Sequence, residues 1–315
     1  MSDRGTSRVE HTVEVDAPAS DIYRLLAEVE NWPRLFHPTV HVDHLERGEQ
    51  TERIRIWATA NGEAKSWTSR RQLRPEELRI DFRQEVSAPP VAAMGGSWII
   101  EPLSDTTCRI RLLHDYRAVD DDAEGLAWID RAVDRNSRSE LAALKVNAEL
   151  VVGAPDDLLL SFQDSVRIDG SAEDVYDFLD RADLWTERLP HVAEVELTED
   201  TPGLQRLTME TRAKDGSTHT TSSVRVCFPR ERIVYKQTVL PALMTLHTGY
   251  WLLEEDGDGV TATSQHTVVI NVENIAAVLG DRAGVADARQ YVQGALSTNS
   301  RATLGYAKGY AEGRV

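Results

Sequence analysis

The chain has 315 residues, 41% of them hydrophobic and 28% charged, a balance that suits a soluble globular protein of about two domains. Its 35 Lys and Arg face 52 Asp and Glu, and the net charge of −17 repels phosphate backbones and anionic lipid heads, which disfavours nucleic-acid and membrane-surface roles. Cys108 and Cys227 are too few for a disulfide framework or a cysteine-type zinc site, and neither a signal peptide nor a membrane-spanning run is legible, so a reducing, cytoplasmic location is expected. Residues 8–16 alternate as a strand, and Asp16-Ala-Pro-Ala-Ser-Asp turns the chain into a short helix ending near Glu28. Residues 31–37 read as a second short helix or turn. Alternating runs follow near 39–46, 51–59, 64–73, 78–86, 94–102 and 107–117, separated by turn signals such as Arg74-Pro75-Glu76-Glu77. From about Asp122 to Leu150, Ala127, Ile129, Ala132, Leu141, Leu144 and Val146 mark a long helix, opened by Asp120-Asp121-Asp122 as its dipole favours. Ala154-Pro155-Asp156-Asp157 reads as a linker. The series then starts again, with a strand at 160–168, helices at 172–180 and 184–189, six strands to about Asn271 and helices to about Glu312.

The second series is a copy of the first. His11-Thr-Val-Glu-Val-Asp-Ala-Pro-Ala-Ser-Asp-Ile-Tyr23 resembles Asp164-Ser-Val-Arg-Ile-Asp-Gly-Ser-Ala-Glu-Asp-Val-Tyr176. Tyr23 and Tyr176, Trp32 and Trp185, and Trp98 and Trp251 all keep an offset of 153, while Asn136-Ser-Arg matches Asn299-Ser-Arg at 163. So long a period means two tandem domains, residues 1–153 and 154–315, and not a solenoid. Each is acidic by itself, at −7 and −10, so no basic tail is hidden in the total. A strand, two small helices, six strands and a long helix make an α+β plan, in which a curved seven-stranded antiparallel sheet wraps the helix. A cavity between them suits a hydrophobic ligand.

Ser66-Trp67-Thr68-Ser69-Arg70-Arg71-Gln72-Leu73 puts Trp67, Ser69, Arg71 and Leu73 on one strand face. With Trp67 and Leu73 turned inward, Ser69 and Arg71 are inward too, and a buried guanidinium is costly unless paired. Thr221, Ser223, Arg225 and Cys227 repeat the pattern. A surface face whose Arg pairs with a neighbouring-strand carboxylate stays open on spacing alone; the repetition favours function. Trp32, Trp57, Trp67 and Trp98, with Phe36, Met94 and His114, either pack a core or line a slot for a flat conjugated ligand. The second copy keeps Trp185 and Trp251 and adds His219, Tyr235, His247, Tyr250 and His266, so its pocket is expected to be more polar. Asn136 and Asn299 lie mid-helix, as pocket floor or as polar contacts. His37, His41 and His44 alternate poorly with a strand face, so no metal centre is expected. With no phosphate-binding glycine loop, nucleophile elbow or dinucleotide fingerprint, no cofactor is expected either.

Asn31-Trp32-Pro33-x-Leu35-Phe36, Ser66-Trp67-x-Ser69-x-Arg71-x-Leu-x-Pro75, Trp98 and Arg135-Asn136-Ser137-Arg138 resemble the aromatase/cyclases of bacterial type II polyketide synthases. The resemblance covers nearly the whole chain, and the duplication points to the didomain subclass. It implies a helix-grip fold of the START/Bet v1-like type in each half. It also implies that a linear poly-β-ketone on an acyl carrier protein, made by a ketosynthase and reduced at one ketone by a ketoreductase, folds in the pocket, closes one ring by aldol condensation and loses water. Arg71 matches the family's key arginine, Ser69 its neighbouring serine, and Trp32, Phe36, Trp67, Arg83, Met94 and Trp98 its pocket walls. Thr39 and Lys65 stand where monodomain members often place a Tyr and a second Trp, so no role resting on that tyrosine carries over. Arg71 is expected to bind the developing oxyanion and position water, with Ser69 orienting that water; Arg225 and Ser223 either do the same or support the first copy. The aromatic-rich first pocket is expected to lead, the second binding less tightly or completing dehydration. A non-catalytic carrier using the same cavity is the alternative. Docking of an acidic carrier protein requires a local basic patch, for which Arg131, Arg135 and Arg138, or Arg70 and Arg74, are candidates.

Overall fold

The computed structural model describes residues 6–60, 63–153, 157–212 and 218–313, so Ala154, Pro155 and Asp156 of the expected linker lie outside the described residues. The chain divides into two compact units, Met1–Ala154 and Pro155–Val315. In the first, β1 (Ser7–Val15) leads through α1 (Ala19–Ala27) and α2 (Trp32–Leu35) into β2 (Thr39–Arg47), β3 (Thr51–Ala60), β4 (Glu63–Arg74), β5 (Arg79–Gln84), β6 (Val91–Pro102) and β7 (Cys108–Ala118). The helix α3 (Ala123–Gly153) follows. The sheet is antiparallel, in the order β1-β7-β6-β5-β4-β3-β2, so β1 pairs with β7 and the meander runs back to β2.

The alternation of β1 to β7 leaves one sheet face apolar, and α3 covers it. Ile129, Val133, Ser137, Leu141, Leu144 and Ala148 are buried at spacings of three and four, a single helix face. Leu141, Leu144 and Ala148 join Ile80, Trp98, Ile100, Ile110 and Leu112 of the sheet and Ile22 and Leu26 of α1 in one core. Of the acidic triplet, Asp122 caps the helix by accepting the Gly125 N–H at 2.6 Å, while Asp120 and Asp121 turn the chain at φ 55° and 53°.

The second unit repeats the plan. β8 (Leu159–Ile168), α4 (Ala172–Asp180) and α5 (Trp185–Arg188) precede β9 (Val192–Thr201), β10 (Leu204–Arg212), β11 (Thr218–Phe228), β12 (Arg232–Val239), β13 (Met244–Glu255) and β14 (Val260–Ile270). It adds α6 (Ile275–Leu279) before α7 (Val285–Ala311), and its sheet order is β8-β14-β13-β12-β11-β10-β9. The two registers coincide: Phe82 pairs with Gly96 and Gly96 with His114, as Tyr235 pairs with Gly249 and Gly249 with His266. Both glycines are required by close approach. A Cβ on Gly96 would lie 1.9 Å from the Leu113 carbonyl oxygen, and one on Gly249 would lie 2.2 Å from that of Gln265.

Candidate functional site

In the second unit a cavity of about 350 Å³ opens between α7 and the sheet, within the range of small-molecule pockets. Trp185, His219, Ser223, Arg225, Tyr235, His247, Trp251, His266 and Asn299 all line it, so nine residues singled out from the sequence come together there. Ser300 and Thr303 line it too, one turn apart on the helix. Arg225 is 2% exposed. Its Nη2 donates to the Leu179 carbonyl at 2.6 Å, Nη1 reaches that of Asp180 at 3.5 Å, and the guanidinium lies 5.5 Å over the Trp185 ring. These carbonyls end α4, where the helix dipole favours a cation. The indole Nε1 of Trp185 in turn donates to the Phe178 carbonyl at 3.0 Å, which fixes the ring.

The first unit builds the same corner with one added charge. Arg71, 3% exposed, donates to the carbonyls of Leu26 at 2.6 Å and Ala27 at 3.3 Å at the end of α1, and lies 5.0 Å over the Trp32 ring. It also donates to Glu52 Oε1 at 2.6 Å, across the β3–β4 register. Glu52 Oε2 pairs with His44 Nε2 at 2.9 Å. Burial lowers the Arg71 pKa to about 10 against the pull of Glu52, which still leaves it charged at neutral pH. The place of Glu52 is taken in the second unit by Gln205, opposite Arg225 in register. Ser69 is buried and donates to the Arg83 carbonyl at 3.1 Å.

Trp32, Phe36, Trp67 and Trp98 do face the interior of the first unit. Phe36 meets Trp32 edge-on at 5.5 Å and Trp98 at 6.1 Å, while Trp67 packs with Ile54, Ile56 and Ala58. Met94 packs beside Tyr116 and Val133, and His114 meets Phe82 edge-on at 5.6 Å. Burial pushes the His114 pKa down to about 4.

Four expected pocket residues lie elsewhere. Arg83 alternates with the inward Phe82, so it points outward, and it grips Asp115 with two bonds of 2.7 and 2.9 Å over Gly95. Trp57 is opposite in phase to Ile54, Ile56 and Ala58; it stacks on His41 at 5.4 Å with Arg55 over its ring. Tyr250 adjoins Trp251 in an extended strand and so takes the other face. Asn136 is exposed, whereas Ser137 is buried with its hydroxyl 3.4 Å from His114 Nδ1. Outward charges of the first sheet, Arg70, Arg79, Asp81, Arg83 and Asp115, line an open groove of about 840 Å³ whose lining also includes Glu52, Arg71 and Phe82.

Interior residues that escape a reading of the sequence include Glu52, Ser137, Ser300 and Glu140. Ser137 and its counterpart Ser300 sit one position beyond the conspicuous asparagines, and the apolar helix stripe is the signal that would have found them. Glu140 flanks the same stripe between Ser137 and Leu144, in the place of Thr303. It retains partial exposure, but the protein packed around it removes enough water to push its pKa up to about 7.

A curved sheet gripping a long helix, with a largely apolar cavity between them in the second unit, defines a helix-grip fold. The family described as "Polyketide cyclase / dehydrase and lipid transport" matches residues 6–149 and again 160–304. The chain belongs to this family, as a didomain aromatase/cyclase of the type II polyketide synthase class. It is 53% identical over 298 residues to the granaticin polyketide synthase bifunctional cyclase/dehydratase of Streptomyces virginiae, covering 94% of this chain and 97% of the other. It is 49% identical to the actinorhodin polyketide synthase bifunctional cyclase/dehydratase of Streptomyces coelicolor, covering 98% of each. Among solved structures, the di-domain ARO/CYC BexL from the BE-7585A biosynthetic pathway superimposes with a TM-score of 0.92 at 68% identity, over 97% of this chain and 99% of that one. Among the described residues no helix is long and apolar enough to cross a membrane.

Proposed function

We propose that the protein closes the first ring of a ketoreduced poly-β-ketone, held on an acyl carrier protein, by intramolecular aldol condensation and then removes water. The observation that carries this reading is the buried guanidinium set over an aromatic ring in each unit, which in the second unit lines the cavity between sheet and helix. Methylenes between two ketones are acidic enough for a weak base. The harder tasks are holding one conformer of a flexible chain and stabilising the oxyanion that forms. The interior supplies orientation. The guanidinium supplies charge where water is scarce, and its Nε and second Nη2 hydrogen are not used by the described residues in either unit. In this role Arg71 binds the oxyanion while the oxygen of Ser69, whose proton is turned to the Arg83 carbonyl, accepts from the attending water. Glu140 and His114 are the candidate proton carriers of the first interior, the carboxyl poised near neutrality by its burial.

A carrier that only shelters the chain would use the same interior. One observation favours it: Arg71 is already neutralised by Glu52. Incubating the purified protein with a tethered poly-β-ketone separates the readings, since a carrier forms no ring faster than solution does. Lys keeps the charge of Arg71 but not its planar fork. Arg71→Lys is therefore expected to lower ring formation by about a hundredfold, and ring formation at the wild-type rate would make Arg71 a structural residue.

A further inference from the structure

The two interiors share a backbone register and differ in hydrogen-bonding capacity at three inward positions. Phe82, Met94 and Leu112 of the first unit correspond to Tyr235, His247 and Ser264 of the second. Both units hold a histidine on the last strand facing a serine on the long helix, His114 with Ser137 and His266 with Ser300. In the first unit this pair is loose, at 3.4 Å, and His114 packs edge-on against Phe82. In the second it is the centre of a chain. His266 Nε2 lies 2.7 Å from Ser300 Oγ and 3.2 Å from Ser264 Oγ, and the two hydroxyls are 3.0 Å apart. His266 Nδ1 lies 3.0 Å from Tyr235 Oη and 2.9 Å from His247 Nε2. Tyr235, His247, His266 and Ser300 all line the cavity, and each is buried.

Packing does not explain these groups, because the first unit fills the same framework with Phe, Met and Leu. The chain is also ambiguous in a useful way. With Tyr235 donating to Nδ1, the His266 Nε2–H donates to Ser300; with Nδ1–H donating to His247, Nε2 accepts from the Ser300 hydroxyl. The two arrangements are the two neutral tautomers of His266, and passing between them needs one proton to arrive at one ring nitrogen as another leaves the other. Burial holds both imidazoles neutral, with pKa values lowered to about 3 for His247 and about 4 for His266, opposed at His266 by the nearby Asp164 carboxylate. An imidazole so hard to protonate is a strong acid once it has taken a proton, which suits expulsion of a poor leaving group such as hydroxide.

We propose that the cavity of the second unit is a dehydration chamber, in which Ser300 and His266 act on a cyclised β-hydroxy ketone and Tyr235, His247 and Ser264 position them. This rests on the cyclase reading above. The C–H bond beside the carbonyl breaks, and its proton passes through the Ser300 hydroxyl to His266 Nε2. The electron pair of that bond becomes the new C=C bond, and the C–O bond breaks. The departing oxygen takes the proton back from His266 and leaves as water, so the chain ends in its starting state and no other reactant is consumed.

The test uses the full chain and a carrier-tethered poly-β-ketone, with mass spectrometry reading the ratio of dehydrated to hydroxylated ring product. His266→Gln and Ser300→Ala are expected to lower that ratio by about a hundredfold, and Tyr235→Phe by about tenfold. Tyr235→Phe removes one oxygen and restores the residue that the first unit packs in the same place, so it keeps the test alive if His266→Gln fails to fold. A ratio unchanged in both Ser300→Ala and Tyr235→Phe overturns the proposal. A ratio that falls with His114→Gln and not with His266→Gln moves dehydration to the first unit and overturns it equally. A wild-type protein that forms no ring sinks the cyclase reading, and this proposal with it.

Discussion

Glu52 and Glu140 show two ways of keeping a carboxylate in the first interior. Glu52 survives burial because Arg71 and His44 both meet it. Removing it leaves the buried guanidinium with the Leu26 and Ala27 carbonyls, the Trp32 ring and the more distant Glu30, and breaking such a pair typically costs about 3–5 kcal/mol. Glu52→Ala should therefore lower the unfolding free energy from a urea titration by that amount. Glu52→Gln should cost less, because Gln205 already stands opposite Arg225 in the second unit. Glu140 has no such cation, and its carboxyl titrates near 7 where the unfolded chain titrates near 4.5. Its raised value makes the folded state bind the proton more tightly, so the associated stability is present below about 4.5 and is lost as pH rises through about 7. Across that window Glu140→Gln should gain thermal stability relative to the wild type. A constant difference in melting temperature would count against it.

At the scale of strands and helices, the register around Gly96 and Gly249 decides which side chains meet. Neither glycine has room for a methyl group, because the nearest atom in each case is a backbone carbonyl that cannot rotate aside. Gly249→Ala would also press on Tyr235 Oη at 2.6 Å. Each Gly→Ala variant is expected to destabilise its unit by about 2–3 kcal/mol, read as a lowered unfolding midpoint. The fold was legible in the sequence because tryptophan pairs such as Trp98 and Trp251 keep their spacing wherever equivalent strands do. The site was legible only in part, and the errors have one physical source. A strand's composition shows that its faces alternate, but which face is inside depends on phase. Tyr250 and Trp251 are neighbours, so only one can look inward, and Arg83 was placed by family resemblance against the phase that Ile80 and Phe82 set. Asn136 drew notice as the polar residue in the helix, while the face that meets the sheet passes through Ser137. Glu52 and Glu140 left no mark at all, since a glutamate in an alternating strand or an amphipathic helix reads as a solvated residue.

Over the whole molecule, a net charge of −17 coexists with interior groups that resist gaining protons. His114, His247 and His266 have folded pKa values of about 4, 3 and 4, against about 6.5 when exposed. Their depressed values mean that the unfolded chain takes up protons first as pH falls, so stability present above about 6.5 is lost on acidification towards about 3–4. Melting curves at stepped pH should show this loss, and it should be smaller in His247→Met, which carries the residue the first unit uses; an equal loss would refute the assignment. The same charge bears on a carrier-protein partner. Arg70, Arg74 and Arg138 are already paired with Glu85, Asp81 and Asp134, so an acidic partner would have to compete for them.

The shared register has a historical consequence. A duplicated domain begins as two identical rooms, and this chain shows what one of them became at Tyr235, His247 and Ser264 while the histidine and serine facing each other stayed in both. At these three positions divergence changed hydrogen-bonding capacity within an unchanged strand register. Each half is therefore a naturally occurring multiple variant of the other on the same sheet register. The path between two chemistries can be walked one side chain at a time, in either direction, inside a single polypeptide.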